Sequence, residues 1–210
     1  MRVDVWSDIV CPWCYVGKRR FEKALSRFDG RADVQIVHHS FQLNPAAPHH
    51  QTANRREMLM RKYRLTPAQV EEMDARMTQT AAAEGLEYHL EGTVTGNTLD
   101  AHQLVHLAHD RGSQDAMIER LYRAYFTEQR SIFDEDSLVE LASDAALDPH
   151  DARAVLRDRR YVDAVQSDID GARRLGVTGV PFFVIAEHCG VAGAQASDVF
   201  LDVLRTAAQQ

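Results

Sequence analysis

Residues 6–19 read Trp6-Ser7-Asp8-Ile9-Val10-Cys11-Pro12-Trp13-Cys14-Tyr15-Val16-Gly17-Lys18-Arg19, and the fold follows from what flanks the two cysteines. Upstream, Arg2 to Trp6 alternate, with Val3 and Val5 on one side and Arg2, Asp4 and Trp6 on the other, a period of two that predicts a short strand. Ser7-Asp8 marks a turn. Downstream, Phe21, Leu25 and Phe28 recur at i, i+4 and i+7, which predicts a helix opening at Cys11 and stopped by Gly30. Val34 to Phe41 (VQIVHHSF) then predicts a second strand, parallel to the first if the helix is a crossover.

Two cysteines separated by two residues close a small disulfide ring, and a position at a helix start makes them unequal. Unpaired backbone amides and the positive end of the helix dipole stabilise a thiolate at Cys11. Cys14, three residues on and turned inward, is the natural resolving thiol. Pro12 suits the first helical position, where its missing N–H has no partner to lose. Trp13 is expected beside the sulfur, either touching substrate or simply packed. Lys18, Arg19 and Arg20 add positive charge to the first turns of the helix, either supporting a thiolate through space or, as the preferred reading, forming a solvated helix face. The chemistry expected is a relay in which a Cys11 thiolate attacks a substrate disulfide and Cys14 resolves the mixed disulfide; run backwards, it donates a disulfide. The same spacing supplies half of many zinc sites, but no second cysteine pair exists, so redox chemistry is the expectation and a metal is not.

From Asn44-Pro45-Ala46-Ala47-Pro48 to about Arg160 nearly every segment has a helical period. Helices are predicted over Arg55–Tyr63, Pro67–Glu84, Leu99–Arg111, Asp115–Glu128, Glu135–Ala145 and Pro149–Arg157, with Thr66-Pro67 and Asp148-Pro149 as start signals and Gly85 as a stop. A further helix, Tyr161–Leu175, ends at Gly176. A turn and an apolar strand follow in Val177–Ile185, then an antiparallel partner in His188–Val191 and a closing helix, Ser197–Ala208, capped by Ser197. The reading is therefore α/β, one α/β domain in two parts, 1–45 and 158–210, interrupted by an all-helical insertion over 46–157. The remainder outside the insertion has the size of one small domain.

Of 210 residues, 24 are Lys or Arg and 31 Asp or Glu, a formal charge of −7 that argues against a nucleic-acid partner. No stretch has the roughly 20 apolar residues of a membrane span, and MRVDVWSDIV lacks the basic and apolar regions of a signal peptide. Three cysteines are too few and too odd for a secreted disulfide scaffold, so a soluble, cytoplasmic protein in a reducing compartment is expected.

The stretch from Trp6 to Arg19 resembles the start of the DsbA-like thioredoxin-fold family, in its FrnE-like branch. Phe41-Gln42-Leu43-Asn44-Pro45, Asn97-Thr98-Leu99-Asp100-Ala101-His102, Gly179-Val180-Pro181-Phe182-Phe183 and Gly193-Ala194-Gln195 resemble further motifs of that branch, in order along the whole chain. The resemblance implies a thioredoxin fold with a helical insertion, and protein disulfide oxidoreductase activity. It also implies a cis Val180-Pro181 peptide lying against the CPWC helix, where the backbone of Val180 would pair with an extended substrate. Related kappa-class glutathione transferases and 2-hydroxychromene-2-carboxylate isomerases share the architecture. They have Ser where Cys11 stands and an Asp-containing motif before the last helix, whereas this chain has Gly193-Ala194-Gln195. Glutathione-dependent isomerisation or transfer on a small aromatic or polyketide-like substrate is therefore the alternative. No tightly bound cofactor is expected, with glutathione as a candidate co-substrate and a protein or small-molecule thiol or disulfide as the partner.

His102, His106 and His109 share a helix face at i, i+4 and i+7, without the Glu of a metalloprotease helix. His102, Asn44 and Gln195 are the candidates for a substrate cleft. His38 and His39 are neighbours in a strand and point to opposite faces. Cys189 is read as a bystander.

Overall fold

The computed structural model describes residues 1–209. Its elements run β1 (Arg2–Ser7), α1 (Pro12–Ser26), β2 (Gln35–Ser40), β3 (Thr52–Asn54), α2 (Arg55–Tyr63), α3 (Pro67–Ala83), β4 (Val94–Gly96), α4 (Leu99–Asp110), α5 (Gln114–Phe126), α6 (Glu135–Asp144), α7 (Pro149–Asp158), α8 (Val162–Arg174), β5 (Phe182–Ile185), β6 (Cys189–Ala192) and α9 (Ser197–Ala207). The chain forms two compact units, one made of residues 1–43 and 165–210, the other of residues 44–164.

In the first unit four strands lie in the order β2-β1-β5-β6. β1 pairs in parallel with β2 and antiparallel with β5, and β5 pairs antiparallel with β6. This is the thioredoxin arrangement expected of the sequence. Alternation along the strands sorts the side chains: Val3, Val5, Phe183 and Ile185 face one way and join Phe21 and Ala24 of α1 and Phe200, Leu201 and Leu204 of α9 in a buried core. Phe183 and Phe200 meet edge to face with centroids 4.6 Å apart, a favoured aromatic geometry. On the opposite face Trp6 and Val184 pack with Ala172 of α8 and Val177.

The predicted end of α1 is corrected. The helix stops at Ser26, and Gly30 has φ −81°, so it supplies no left-handed stop; it opens a single 3₁₀ turn, Arg31–Asp33. A side chain there would meet the Phe28 ring at 2.8 Å, because Phe28 has left the helix and folded back into the core. The cap of α9 is corrected as well. Ala196 holds the N-cap position with extended backbone and no side-chain bond, and Ser197 is already helical.

The second unit is helical apart from the antiparallel ribbon of β3 and β4, which the sequence reading did not foresee. Two start signals act as expected: Thr66 and Gln69 form a reciprocal capping box at α3, and the Asp148 carboxylate accepts the His150 and Asp151 N–H groups at α7. Its core gathers Leu104 and Leu107 of α4, Met117, Leu121 and Phe126 of α5, and Leu138 and Leu141 of α6, all buried. A bidentate pair, Arg55 to Asp74 at 2.9 and 3.0 Å, ties α2 to α3. The boundary between the units falls inside α8, after Ala164, not at 157 as read from the sequence. Tyr161 explains the shift: it stacks on His106 and its N–H donates to Gln103, both in α4, so the start of this segment packs with the helical unit.

Candidate active site

Cys11 is the N-cap of α1, extended at φ −87° and ψ 110°, with Pro12 as the first helical residue. Cys11 N–H donates to the Asp8 carbonyl at 3.1 Å, and Cys14 N–H to the Cys11 carbonyl at 3.0 Å, so a tight turn delivers both cysteines to the helix start. Both are free thiols and both are buried. Trp13 between them is 46% exposed, so it is not a packed core residue.

The two sulfurs have different surroundings. Cys11 Sγ lies 3.5 Å from the carbonyl oxygen of Val180. Burial, followed by the hydrogen bond with Cys11 and the charges of Cys11 and Asp8, pushes the Cys14 thiol well above its ordinary range, against a backbone hydrogen bond at Asp8. A thiol so placed keeps its proton until a neighbouring sulfur changes state, which suits a resolving rather than an attacking group.

The Val180–Pro181 peptide bond is cis, as the family resemblance implied. Pro181 is held on its far side by the Gly193 N–H, which donates to the Pro181 carbonyl at 2.8 Å. Gln195, at the end of that loop, is exposed and turns its side chain back, donating to the Ala192 carbonyl at 2.8 Å. The structure thus brings Cys11, Pro12, Trp13, Cys14, Val180 and Pro181 to one unit. Asn44 and His102 belong to the other, where Asn44 is exposed in a turn and His102 is buried in α4. His109 is exposed, and among the described residues no group of three or more His, Cys, Asp or Glu is arranged to hold a metal ion.

The reading of Lys18, Arg19 and Arg20 as a solvated face is corrected. Lys18 is buried and ion-paired with Glu22, which also takes Arg19 at 2.8 Å. Arg20 donates to the Ala194 carbonyl at 2.7 Å. The sequence reading also missed Asp8. It is fully buried, its carboxylate accepts the Leu43 N–H at 2.7 Å, and its backbone serves both cysteines. A carboxylate three residues before the first cysteine of the CPWC pair was the available signal, read only as a turn.

A second polar cluster lies in the same unit, beneath α8. His39 stacks on Trp6 with ring centroids 4.5 Å apart, and its two ring nitrogens meet Asp4 at 2.6 Å and Asp168 of α8 at 2.8 Å. Asp168 also accepts the Ser40 N–H through its carboxylate and the Trp6 indole N–H through its carbonyl. Each group in the cluster has a structural partner, and this explains how a charged layer sits under a helix.

Residues 2–205 match the sequence model of the DSBA-like thioredoxin domain. YwbO of Bacillus subtilis (strain 168) is 28% identical over 203 residues, 95% of this chain and 94% of that protein. The crystal structure of a "probable DsbA oxidoreductase" from Streptomyces coelicolor is similar with a TM-score of 0.97 and 45% identity, over 100% of this chain and 91% of the other. The cytosolic disulfide reductase DsbM from Pseudomonas aeruginosa, solved with GSH, has a TM-score of 0.68 at 17% identity with both chains fully covered. A 2-hydroxychromene-2-carboxylate isomerase reaches 0.72 at 15% identity, over 100% of this chain and 95% of the other. At those identities the last two show a common fold. The chain belongs to the family of DSBA-like thioredoxin domain proteins.

Proposed function

We propose that the protein is a thiol–disulfide oxidoreductase whose working pair is Cys11 and Cys14. The observation that carries this reading is the asymmetry of the pair: Cys11 at the N-cap of α1, facing the Val180 backbone, and Cys14 beneath it with its proton held by burial. A Cys11 thiolate attacks one sulfur of a substrate disulfide, forming the mixed disulfide and expelling the other sulfur as a thiolate. Cys14 then loses its proton and attacks Cys11 Sγ, releasing the second substrate thiol. The protein ends as the Cys11–Cys14 disulfide and the substrate has gained two electrons. Two glutathione thiols return the pair to the dithiol and leave as glutathione disulfide, so glutathione is proposed as co-substrate and not as a resident group. The same steps reversed oxidise a substrate dithiol, and a cytosolic glutathione pool favours the reducing direction. Trp13 and the Val180 backbone are proposed to meet an extended protein or small-molecule disulfide.

The decisive experiment follows exchange with a peptide disulfide. Cys11→Ser is expected to abolish it with the fold intact, and Cys14→Ser to accumulate the mixed disulfide. Full activity of Cys11→Ser would overturn the reading. The reduction potential of the pair in glutathione buffers then fixes the direction. Saturable binding of reduced glutathione by calorimetry, with no disulfide exchange, would favour the isomerase or transferase alternative instead.

A further inference from the structure

Gly17 lies in the interior of α1, where glycine weakens a helix relative to alanine and the backbone has no need of it. A Cβ on this residue would stand 2.9 Å from Pro181 Cγ and 3.4 Å from Ala194 Cβ. Carbon atoms do not pack as closely as 2.9 Å, and Pro181 Cγ is not the loose end of a side chain. Its ring closes on its own backbone, so a push on it passes to the Val180–Pro181 peptide. The loop is also held from behind. Gly193 N–H donates to the Pro181 carbonyl at 2.8 Å, and Arg20, one turn on from Gly17, donates to the Ala194 carbonyl at 2.7 Å.

We propose that Gly17 is a positioning residue whose missing side chain lets Pro181 close on α1, so that Gly17 and Arg20 together fix the Val180 carbonyl against the Cys11 sulfur. The inference rests on the oxidoreductase reading above and names what sets the geometry of that site. The Cys11 Sγ to Val180 O contact is 3.5 Å, so a displacement of the Val180 backbone away from the sulfur lengthens and weakens it.

Two consequences have opposite sign. The Val180 carbonyl accepts from the Cys11 S–H and helps to cover a sulfur that is almost wholly buried. Moving it away uncovers Cys11 and makes it react faster with a small alkylating agent. The same movement displaces the backbone on which an extended substrate lies, so exchange with a peptide disulfide slows. A residue that merely supported the fold would not raise one rate while lowering the other.

The test compares reduced wild type, Gly17→Ala and Arg20→Gln. For each, the rate at which iodoacetamide alkylates Cys11 at one fixed pH in a Cys14→Ser background, read on the Cys11 peptide by mass, the exchange rates of the dithiol with a peptide disulfide and with oxidised glutathione, and the melting temperature are measured. Gly17→Ala is expected to raise the alkylation rate and to slow peptide exchange about tenfold, with glutathione exchange less affected. Arg20→Gln is expected to do the same to a smaller extent. A folded Gly17→Ala with unchanged alkylation rate and exchange overturns this inference alone. Wild type that exchanges with neither disulfide overturns the oxidoreductase reading and this inference with it. Should Gly17→Ala lose its fold, Arg20→Gln decides, and the absence of both changes there overturns the proposal.

Discussion

His39 Nδ1 lies 2.8 Å from Asp168 Oδ1, joining β2 to α8 across 129 positions of sequence, while its Nε2 is held by Asp4. Burial opposes the charge on the ring, but the two carboxylates raise the His39 pKa, and His39 and Arg2 together lower that of Asp4 against its burial. The sign for His39 follows directly. Its stabilisation is fully present below its unfolded value of about 6.5 and is lost as pH rises through the higher folded value. For Asp4 the reverse holds: its contribution is present above the ordinary carboxylate value and is lost as pH falls through the lower folded one. Stability is therefore expected to weaken on both sides of a mildly acidic optimum. His39→Gln should cost about 2 kcal/mol below pH 6, and the gap to wild type should close towards alkaline pH in denaturant melts. A gap independent of pH would refute the imidazolium assignment.

Asp8 bears on Cys14 through charge. Asp8→Asn keeps an oxygen for the Leu43 N–H but removes the negative charge that helps hold the Cys14 proton. In a Cys11→Ser background, the ultraviolet absorbance of the Cys14 thiolate is expected to develop at lower pH when Asp8→Asn is added. On the proposed relay, the same change in the Cys11/Cys14 dithiol should speed the release of substrate from the mixed disulfide.

α9 begins without a side-chain cap, since Ala196 sits at the N-cap with φ −62° and ψ 150°. That backbone is already the one a capping serine or aspartate adopts. Ala196→Asp is expected to stabilise the protein by about 1 kcal/mol, read as a higher urea midpoint, and Ser197→Ala to leave the midpoint unchanged.

Ala146 follows α6 at φ 62°, while Leu147 N–H donates back to the Ala142 carbonyl at 2.9 Å. The left-handed conformation costs an L-residue free energy that glycine avoids, and Ala146 is exposed. Ala146→Gly is expected to gain about 0.5–1 kcal/mol. Gly85→Ala, at φ 77° with open space around it, is expected to lose about 1 kcal/mol. Thermal melts of the two variants should move in opposite directions.

Legibility in the sequence tracked how local each cause is. The strands around Val3 and Phe183 and the starts at Thr66-Pro67 and Asp148-Pro149 depend on neighbours a few residues away, and they were readable. β3 and β4 were not, because three residues each give no period, and Thr52, Ala53 and Asn54 are all exposed. The end of α1 was misplaced because Phe28 fits the helical stripe yet reaches the core from outside the helix. In the site, the CPWC pattern and its helix start were legible from four adjacent residues. The value of Gly17 depends on Pro181 and that of Arg20 on Ala194, contacts that no local pattern encodes. Lys18 looked like one more surface cation because the burial that distinguishes it comes from the folded unit.

The central strand β1 has its two neighbours supplied at very different times. β2 follows within the first 40 residues, but β5 begins only at Phe182, after the whole helical unit has been made. At ordinary rates of synthesis the open edge of β1 waits on the order of 10 seconds for its partner. During that time Val3 and Val5 lack the Phe183, Phe200 and Leu204 side chains that will cover them. Trp13 and the two thiols are likewise made before the loop that carries Val180 and Pro181. A ribosome-bound chain therefore carries an unpaired strand edge and an unscreened pair of cysteines until the residues from Val180 onward have been made.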